Sequence, residues 1–303
     1  MNLVNFLKAD TPVRLGLWLG RIVPLSRGRK IALKLGAYLA SRKNNPIRMS
    51  ILANQTVIAG GSLSPEELEK RCLEACQSMV VSLFDYFYFY RHRDELKSAY
   101  TLSDQARAMF FEDGNQGEPL LFMGPHLGNF DLLTSIAAAC GVKGLVLAVP
   151  SPTEAYKAQN KLRAEQGLDV MPMSLNAFRQ ARKVLADKGV VVTGLDRPSE
   201  DPNLRRMPLF FGKPSRLPTF YEKLAVDSGA KIRIGAAIRQ ADGTYHVIAS
   251  EPIYFSAEDV TEDGNINKIT AVIEPWIKQF PTQWAILKPL WPSQPPENRE
   301  EII

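Results

Sequence analysis

The sequence predicts an α/β fold: a mixed, mostly parallel central sheet flanked by helices, with an N-terminal helical layer. Three observations lead to it. The first hundred residues carry helical patterning throughout. From residue 119 onward, short apolar runs alternate with helical stretches, the pattern of a sheet covered on both faces. Asp242-Gly243, between two of the last apolar runs, has the chemistry of a hairpin turn and so adds an antiparallel pair to a mainly parallel order.

Taken in order, helices are expected over Val13–Ile22, Lys30–Ser41 and Ile47–Ile58. A long helix is then announced by Ser64-Pro65-Glu66-Glu67, with Ser at the N-cap, Pro at the first helical position and Glu closing a capping box. It runs to about Arg91 and ends in Phe84-Asp85-Tyr86-Phe87-Tyr88-Phe89-Tyr90. Six aromatics in seven residues cannot share one helical face, so this end is either buried all round or meets lipid, ligand or another element. Strands are expected at Leu120–Met123, Gly144–Val149, Gly189–Thr193, Leu209–Phe211, Lys231–Ile238 and Tyr245–Ala249. Helices fall between them at Asp131–Ala139, Thr153–Gln166, Ser174–Lys188 and Pro218–Ser228, with Gly189 and Gly229 placed as C-terminal caps. A last helix, about Ile266–Gln279, leads into a proline-rich tail, Pro289–Pro296. Residues 1–100 thus form the helical layer and residues 101–303 the α/β domain, as one integrated unit.

Composition bounds the function. With 303 residues, 45% hydrophobic and 23% charged, the chain has neither the polarity of a disordered protein nor the apolar content of a polytopic membrane protein. Its charge is uneven: residues 1–50 hold ten Lys/Arg against Asp10 alone, while the whole chain is only +5, so an anionic partner at the N-terminus is indicated. Arg14, Arg21 and Pro24 interrupt the best apolar run, which falls short of the roughly 20 residues needed to span a bilayer. No small-residue cleavage pattern follows it, so no secretory signal is read and the chain is expected in the cytosol. Leu15, Leu17, Trp18, Leu19 and Ile22, set among Arg14, Arg21 and Arg27, suit either docking on an anionic membrane surface or packing on the sheet. The basic stretch lacks the interleaved aromatics of single-strand binders, which argues against nucleic acid. Cys72, Cys76 and Cys140 lack metal-ligand spacing and are assigned to packing, and no metal site is expected.

The chemistry-bearing stretch is Leu120-Leu-Phe-Met-Gly-Pro-His126-Leu-Gly-Asn-Phe-Asp131, an apolar strand, a Gly-Pro break, then His and Asp before an apolar helix. On a continuous helix the two would diverge by about 140°. They can meet only if His126 precedes the helix, with Asn129 as N-cap and Asp131 in the first turn. An imidazole at the carboxyl end of a strand, oriented by a carboxylate, is a general base with its tautomer set. There is no G-x-S-x-G elbow and no Cys near His126, so a covalent acyl-enzyme is not indicated. A P-loop and a G-x-G-x-x-G are also missing, which argues against nucleotide chemistry.

Gly-Pro-His126-Leu-Gly-Asn-Phe-Asp131-Leu-Leu resembles the H-x4-D/E signature of the glycerolipid acyltransferase superfamily. Its surroundings resemble the branch of bacterial lipid A late acyltransferases (lauroyl and myristoyl) and phosphatidylinositol mannoside acyltransferases. Further blocks follow in order: Gly194-Leu-Asp196-Arg197 with Pro208-Leu-Phe-Phe-Gly212, then Leu224-Ala225 with Ser228-Gly-Ala230, then Phe280-Pro-Thr-Gln283-Trp284. The resemblance implies an O-acyltransferase that carries a fatty acyl group from acyl-CoA or acyl carrier protein to a hydroxyl of a membrane glycolipid. It acts peripherally on the cytoplasmic face of the inner membrane and needs no cofactor beyond that co-substrate. His126 is then the base and Asp131 its partner. Arg197, which could equally pair with Asp196 or Glu200 at the surface, joins Gly128, Asn129 and Glu200 as a substrate-binding candidate. The interrupted basic N-terminus departs from the clear hydrophobic anchor usual in lipid A enzymes and leaves the acceptor open. A thioesterase or lipase, with water replacing the lipid hydroxyl, and a non-catalytic anionic-lipid-binding protein are the rival readings.

Overall fold

The computed structural model describes residues 9–113, 117–201, 204, 206–260 and 263–292. Four helices come first: α1 (Thr11–Ile22), α2 (Leu25–Ser41), α3 (Pro46–Ala59) and the 27-residue α4 (Pro65–Arg91). The capping box at Ser64 and Glu67 is formed, both side chains satisfying orphan N–H groups of the first turn.

Four of the six aromatics at the end of α4 are buried, and Phe84 and Tyr90 are partly so. Tyr86, Phe87, Tyr88 and Phe89 are inaccessible, Phe87 facing α1 and Phe84 facing α2, while Tyr88 and Phe89 join the sheet core with Leu120, Phe122 and Leu133. Small residues make this approach possible. A Cβ on Gly20 would sit 2.8 Å from the backbone of Phe87, and one on Gly36 only 2.5 Å from the Cα of Gln77, so α1 and α2 lie almost backbone to backbone on α4. Of the cysteines, Cys72 and Cys76 pack with Ile51 and Ala75 and are free thiols, as is half-buried Cys140.

Two short helices (α5, Arg93–Leu96, and α6, Asp104–Ala108) flank a three-residue strand, β1 (Tyr100–Leu102). The core of the fold then alternates: β2 (Leu120–Gly124), α7 (Phe130–Ala139), β3 (Leu145–Ala148), α8 (Glu154–Ala164), β4 (Asp169–Pro172), α9 (Leu175–Ala186) and β5 (Val190–Gly194). A small hairpin, β6 (Leu209–Phe210) with β7 (Lys213–Pro214), precedes α10 (Phe220–Ser228), β8 (Lys231–Arg239), β9 (Tyr245–Ala249) and α11 (Gly264–Gln279). Among the described residues the main sheet has the order β1-β9-β8-β2-β5-β3-β4, and every pair is parallel except β8–β9. The fold class is therefore the one expected, hairpin included. Gly243 adopts φ +87° in that turn, beside an Asp242 carboxylate that accepts from Thr244 N–H.

Two expectations change. Leu209–Phe211 is not a sheet strand, because it pairs only with Lys213–Pro214 across a turn in which Phe211 and Gly212 both have positive φ. Two edge strands, β1 and β4, were invisible to the pattern because each is short and half exposed. Of the proline-rich tail, residues 293–296 lie outside the described residues.

Side chains of β2 alternate between two cores. Leu121 and Met123 pack with α9, α10 and α11, whereas Leu120 and Phe122 pack with α4 and α7. Buried amides of α3 tie the first layer to the C-terminal segment: Asn54 donates to Ile286 O and Lys288 O, and Gln55 to Pro281 O. Among the described residues no helix is long and apolar enough to cross a membrane. Replacing Gly36 by Val is expected to cost about 2 kcal/mol by forcing α2 off α4, read as a lowered urea midpoint; an unchanged midpoint would show that this seam tolerates separation.

Candidate active site

Two adjacent parallel strands deliver the site. β2 and β5 pair in register with Gly124 opposite Gly194, so the residues that follow each strand emerge at the same carboxyl edge. After β2 the chain turns through Gly124-Pro125 to His126; after β5 it runs through Leu195 to Asp196. His126 Nδ1 lies 2.6 Å from Asp196 Oδ1. A carboxylate can only accept, so Nδ1 carries a proton, and in the neutral imidazole Nε2 is the nitrogen with the lone pair. The imidazole is 34% exposed, enough for a substrate to reach it, while the Asp196 side chain is fully buried.

Burying a carboxylate is costly unless donors surround it. Asp196 has them: besides the imidazole it accepts from His126 N–H, at 2.9 Å to Oδ2, and from Trp284 Nε1 at 2.8 Å. Trp284 is itself buried and belongs to the C-terminal segment, which docks on the His126 loop through Ala285 N–H to His126 O and Gly128 N–H to Gln283 O. Phe130 stacks beside the imidazole at 5.3 Å between ring centroids.

Asp131, the expected partner of His126, bonds elsewhere. Its Oδ1 accepts from Arg163 Nη2 of α8. The cause is local. Gly128 takes φ +68° with its backbone pressed on β8, where a Cβ would lie 1.9 Å from Ala237 O. Asn129 then caps α7 through Oδ1 to Leu132 N–H at 3.0 Å. This start to α7 turns Asp131, in the first helical turn, toward α8, and Asp196 takes the imidazole instead. Burial disfavours the charge on Arg163, but Asp131, with Tyr86 and Tyr156 nearby, more than offsets it, so the guanidinium pKa is raised.

The remaining candidates divide. Arg197 follows Asp196, donates to Tyr156 OH at 2.8 Å, lies over that ring and pairs with Glu200 at 3.5 Å. Glu200 is largely exposed, and a hydrogen bond from Lys288, with Arg197 nearby, holds its carboxyl below the usual range. Asn129 is only 3% exposed, with its amide committed to Leu132, Ser82 and Tyr245, so it shapes the loop from within. Gly128 serves the same loop through its close approach to β8. Sequence reasoning did not single out Asp196, Trp284, Tyr156 or Arg163 for the site. One signal for Asp196 was present: it follows the buried run Val190–Gly194 as His126 follows Leu120–Gly124, a symmetry that parallel strands convert into proximity.

A base with its Nδ1–H held by a buried carboxylate can deprotonate a hydroxyl. Compared with known proteins, the chain matches the family model for bacterial lipid A biosynthesis acyltransferases over residues 12–293. No curated protein matches it. The match covers the helical layer, the His126 loop, the Asp196 strand end and the Trp284 segment together, and the chain belongs to the bacterial lipid A biosynthesis acyltransferase family, enzymes that transfer an acyl group from a donor to a lipid acceptor.

Proposed function

We propose that this acyltransferase moves a fatty acyl group from an acyl-CoA or acyl carrier protein thioester directly to a hydroxyl of a membrane glycolipid, with His126 as general base. The observation that carries the reading is the 2.6 Å contact of His126 Nδ1 with buried Asp196 in an imidazole that is itself partly exposed. Nε2 takes the proton of the acceptor hydroxyl as its oxygen attacks the thioester carbonyl carbon. The tetrahedral oxyanion then collapses, the C–S bond breaks, and the departing thiolate takes the proton back from the imidazolium. Asp196 stabilises the imidazolium, and Arg197, which also donates to Tyr156, supplies a charge for the oxyanion or for a phosphate of either substrate. Asp131 acts indirectly, by pairing with Arg163 and so holding α8 against the start of α7.

The membrane surface enters through the helical layer. Leu15, Trp18 and Ile22 on α1 and Ile31, Leu35 and Tyr38 on α2 are each at least 45% exposed, on helices whose glycine faces are turned to α4. Arg14, Arg21, Arg27, Lys30 and Lys34 lie among them, also exposed, which suits anionic lipid. The leaflet is the one that meets the thioester pool, the cytoplasmic face of the inner membrane. A cleft of about 510 Å³ between α1, the end of α4 and α8 is lined by Val13, Leu17, Ala158 and Leu162 but also by Arg14, Arg91, Lys157 and Lys161, which suits an anionic headgroup better than a fatty chain.

Thiol release from palmitoyl-CoA in the presence of a bacterial membrane lipid extract tests the mechanism. His126→Ala is expected to lower turnover by about three orders of magnitude, and Asp196→Asn by about two. Asp131→Asn should cost less than Asp196→Asn; the reverse order would return the partner's role to Asp131. Thiol release without acylated lipid would make the enzyme a hydrolase. For docking, Trp18→Glu with Leu35→Glu is expected to weaken sedimentation with anionic vesicles at least about tenfold without lowering the melting temperature; undiminished binding would remove these helices from the membrane contact.

A further inference from the structure

Asp85, in the middle of the aromatic end of α4, is a second fully buried carboxylate, and the reaction makes no use of it. Arg29 of α2 neutralises it with a forked contact, Nε to Oδ1 at 2.9 Å and Nη2 to Oδ2 at 2.8 Å, and also donates to Gly243 O in the β8–β9 turn. Tyr245 of β9 donates its hydroxyl to Asp85 Oδ2 at 2.7 Å. The same hydroxyl accepts from Asn129 Nδ2 at 3.3 Å, and that nitrogen also donates to Ser82 O of α4 at 2.8 Å. Asn129 caps α7 three residues after His126.

The direction of each bond is set. Burial, then the neighbouring Asp85 carboxylate, pushes the Tyr245 phenol well above its usual pKa, so the hydroxyl keeps its proton and donates to Asp85. Its lone pair is then left for Asn129, whose carbonyl oxygen is already engaged by Leu132 N–H. A buried ion pair is weak evidence for stability, because desolvation can cancel its attraction. What this one does is specify position: it joins α2, α4, the β8–β9 turn and the cap of α7 through one carboxylate. The helix that supplies Arg29 is also the one that presents Ile31, Leu35 and Tyr38 outward.

We propose that Arg29, Asp85 and Tyr245 are positioning residues for the His126 loop, holding Asn129 in place so that the imidazole is aligned from the N-terminal layer as well as from Asp196. The inference rests on His126 as the base. Nearness without alignment loses rate, so loosening the cap lowers turnover while leaving the binding of the acyl donor intact.

The test uses the full chain with palmitoyl-CoA and the membrane lipid extract, comparing wild type with Tyr245→Phe, Asp85→Asn, the double variant and His126→Ala. Tyr245→Phe removes one oxygen and no bulk, so it decides the matter even where Asp85→Asn does not fold. The expected result is a fall in kcat of about tenfold for Tyr245→Phe, with KM for palmitoyl-CoA within about twofold of wild type. The double variant should be no slower than Asp85→Asn alone, since the residues act as one unit. A role confined to stability would lower the melting temperature and leave kcat of the folded enzyme unchanged, and that outcome, or additive losses in the double variant, overturns the proposal. If His126→Ala kept its turnover, the assignment of the base would fall first and this inference with it, whereas an inactive His126→Ala beside a fully active Tyr245→Phe would overturn the positioning role alone.

Discussion

The burial of one carboxylate, Asp196, is the constraint from which the rest of the site follows. Inside a protein an ionised carboxylate persists only if donors replace its water. Here three donors come from two places in the chain: the imidazole and the backbone N–H of His126, and the indole of Trp284. Each must arrive in register. The in-line pairing of β2 with β5 brings the first two, and the folding-back of the C-terminal segment brings the third. The site is thus a meeting of remote segments, and α3 secures the last of them through Asn54 and Gln55.

The N-terminal layer obeys a second constraint, that of close approach. Gly16, Gly20, Gly28 and Gly36 remove the side chains that would hold α1 and α2 away from α4, and the aromatic rings of α4 fill the seam. One face of each helix is used up in this contact. The apolar residues at helical spacing on the other faces, Leu15, Trp18, Ile22 and Ile31, Leu35, Tyr38, stay exposed because the body of the protein lies on the other side. Amphipathic helices normally turn their larger apolar residues inward. Here the glycines face in and several large residues face out, the observation on which the proposed membrane docking rests.

Much of the fold was legible in the residues. The capping box at Ser64, the buried runs of β2, β3, β5 and β8 and the Asp242-Gly243 turn are local signals whose physics acts over a few residues, and all appear where they were read. The strands that escaped, β1 and β4, are three and four residues long and half exposed, and their pairing comes from neighbours already in place. Leu209–Phe211 misled for the converse reason: an apolar run has strand character wherever it lies, but sheet membership needs a free edge beside it.

The sequence by itself determined the fold class, the family resemblance and the location of His126 at a strand's end. Those depend on spacing, capping and composition, which are properties of contiguous residues. Which carboxylate meets the imidazole was decided only by the tertiary structure. Asp131 is five residues from His126 and Asp196 is seventy, yet the positive φ of Gly128 and the cap at Asn129 rotate the near one toward Arg163. Parallel strand pairing brings the distant one to 2.6 Å. Proximity along the chain sets no direction for a side chain; the backbone path and the register of neighbouring strands do.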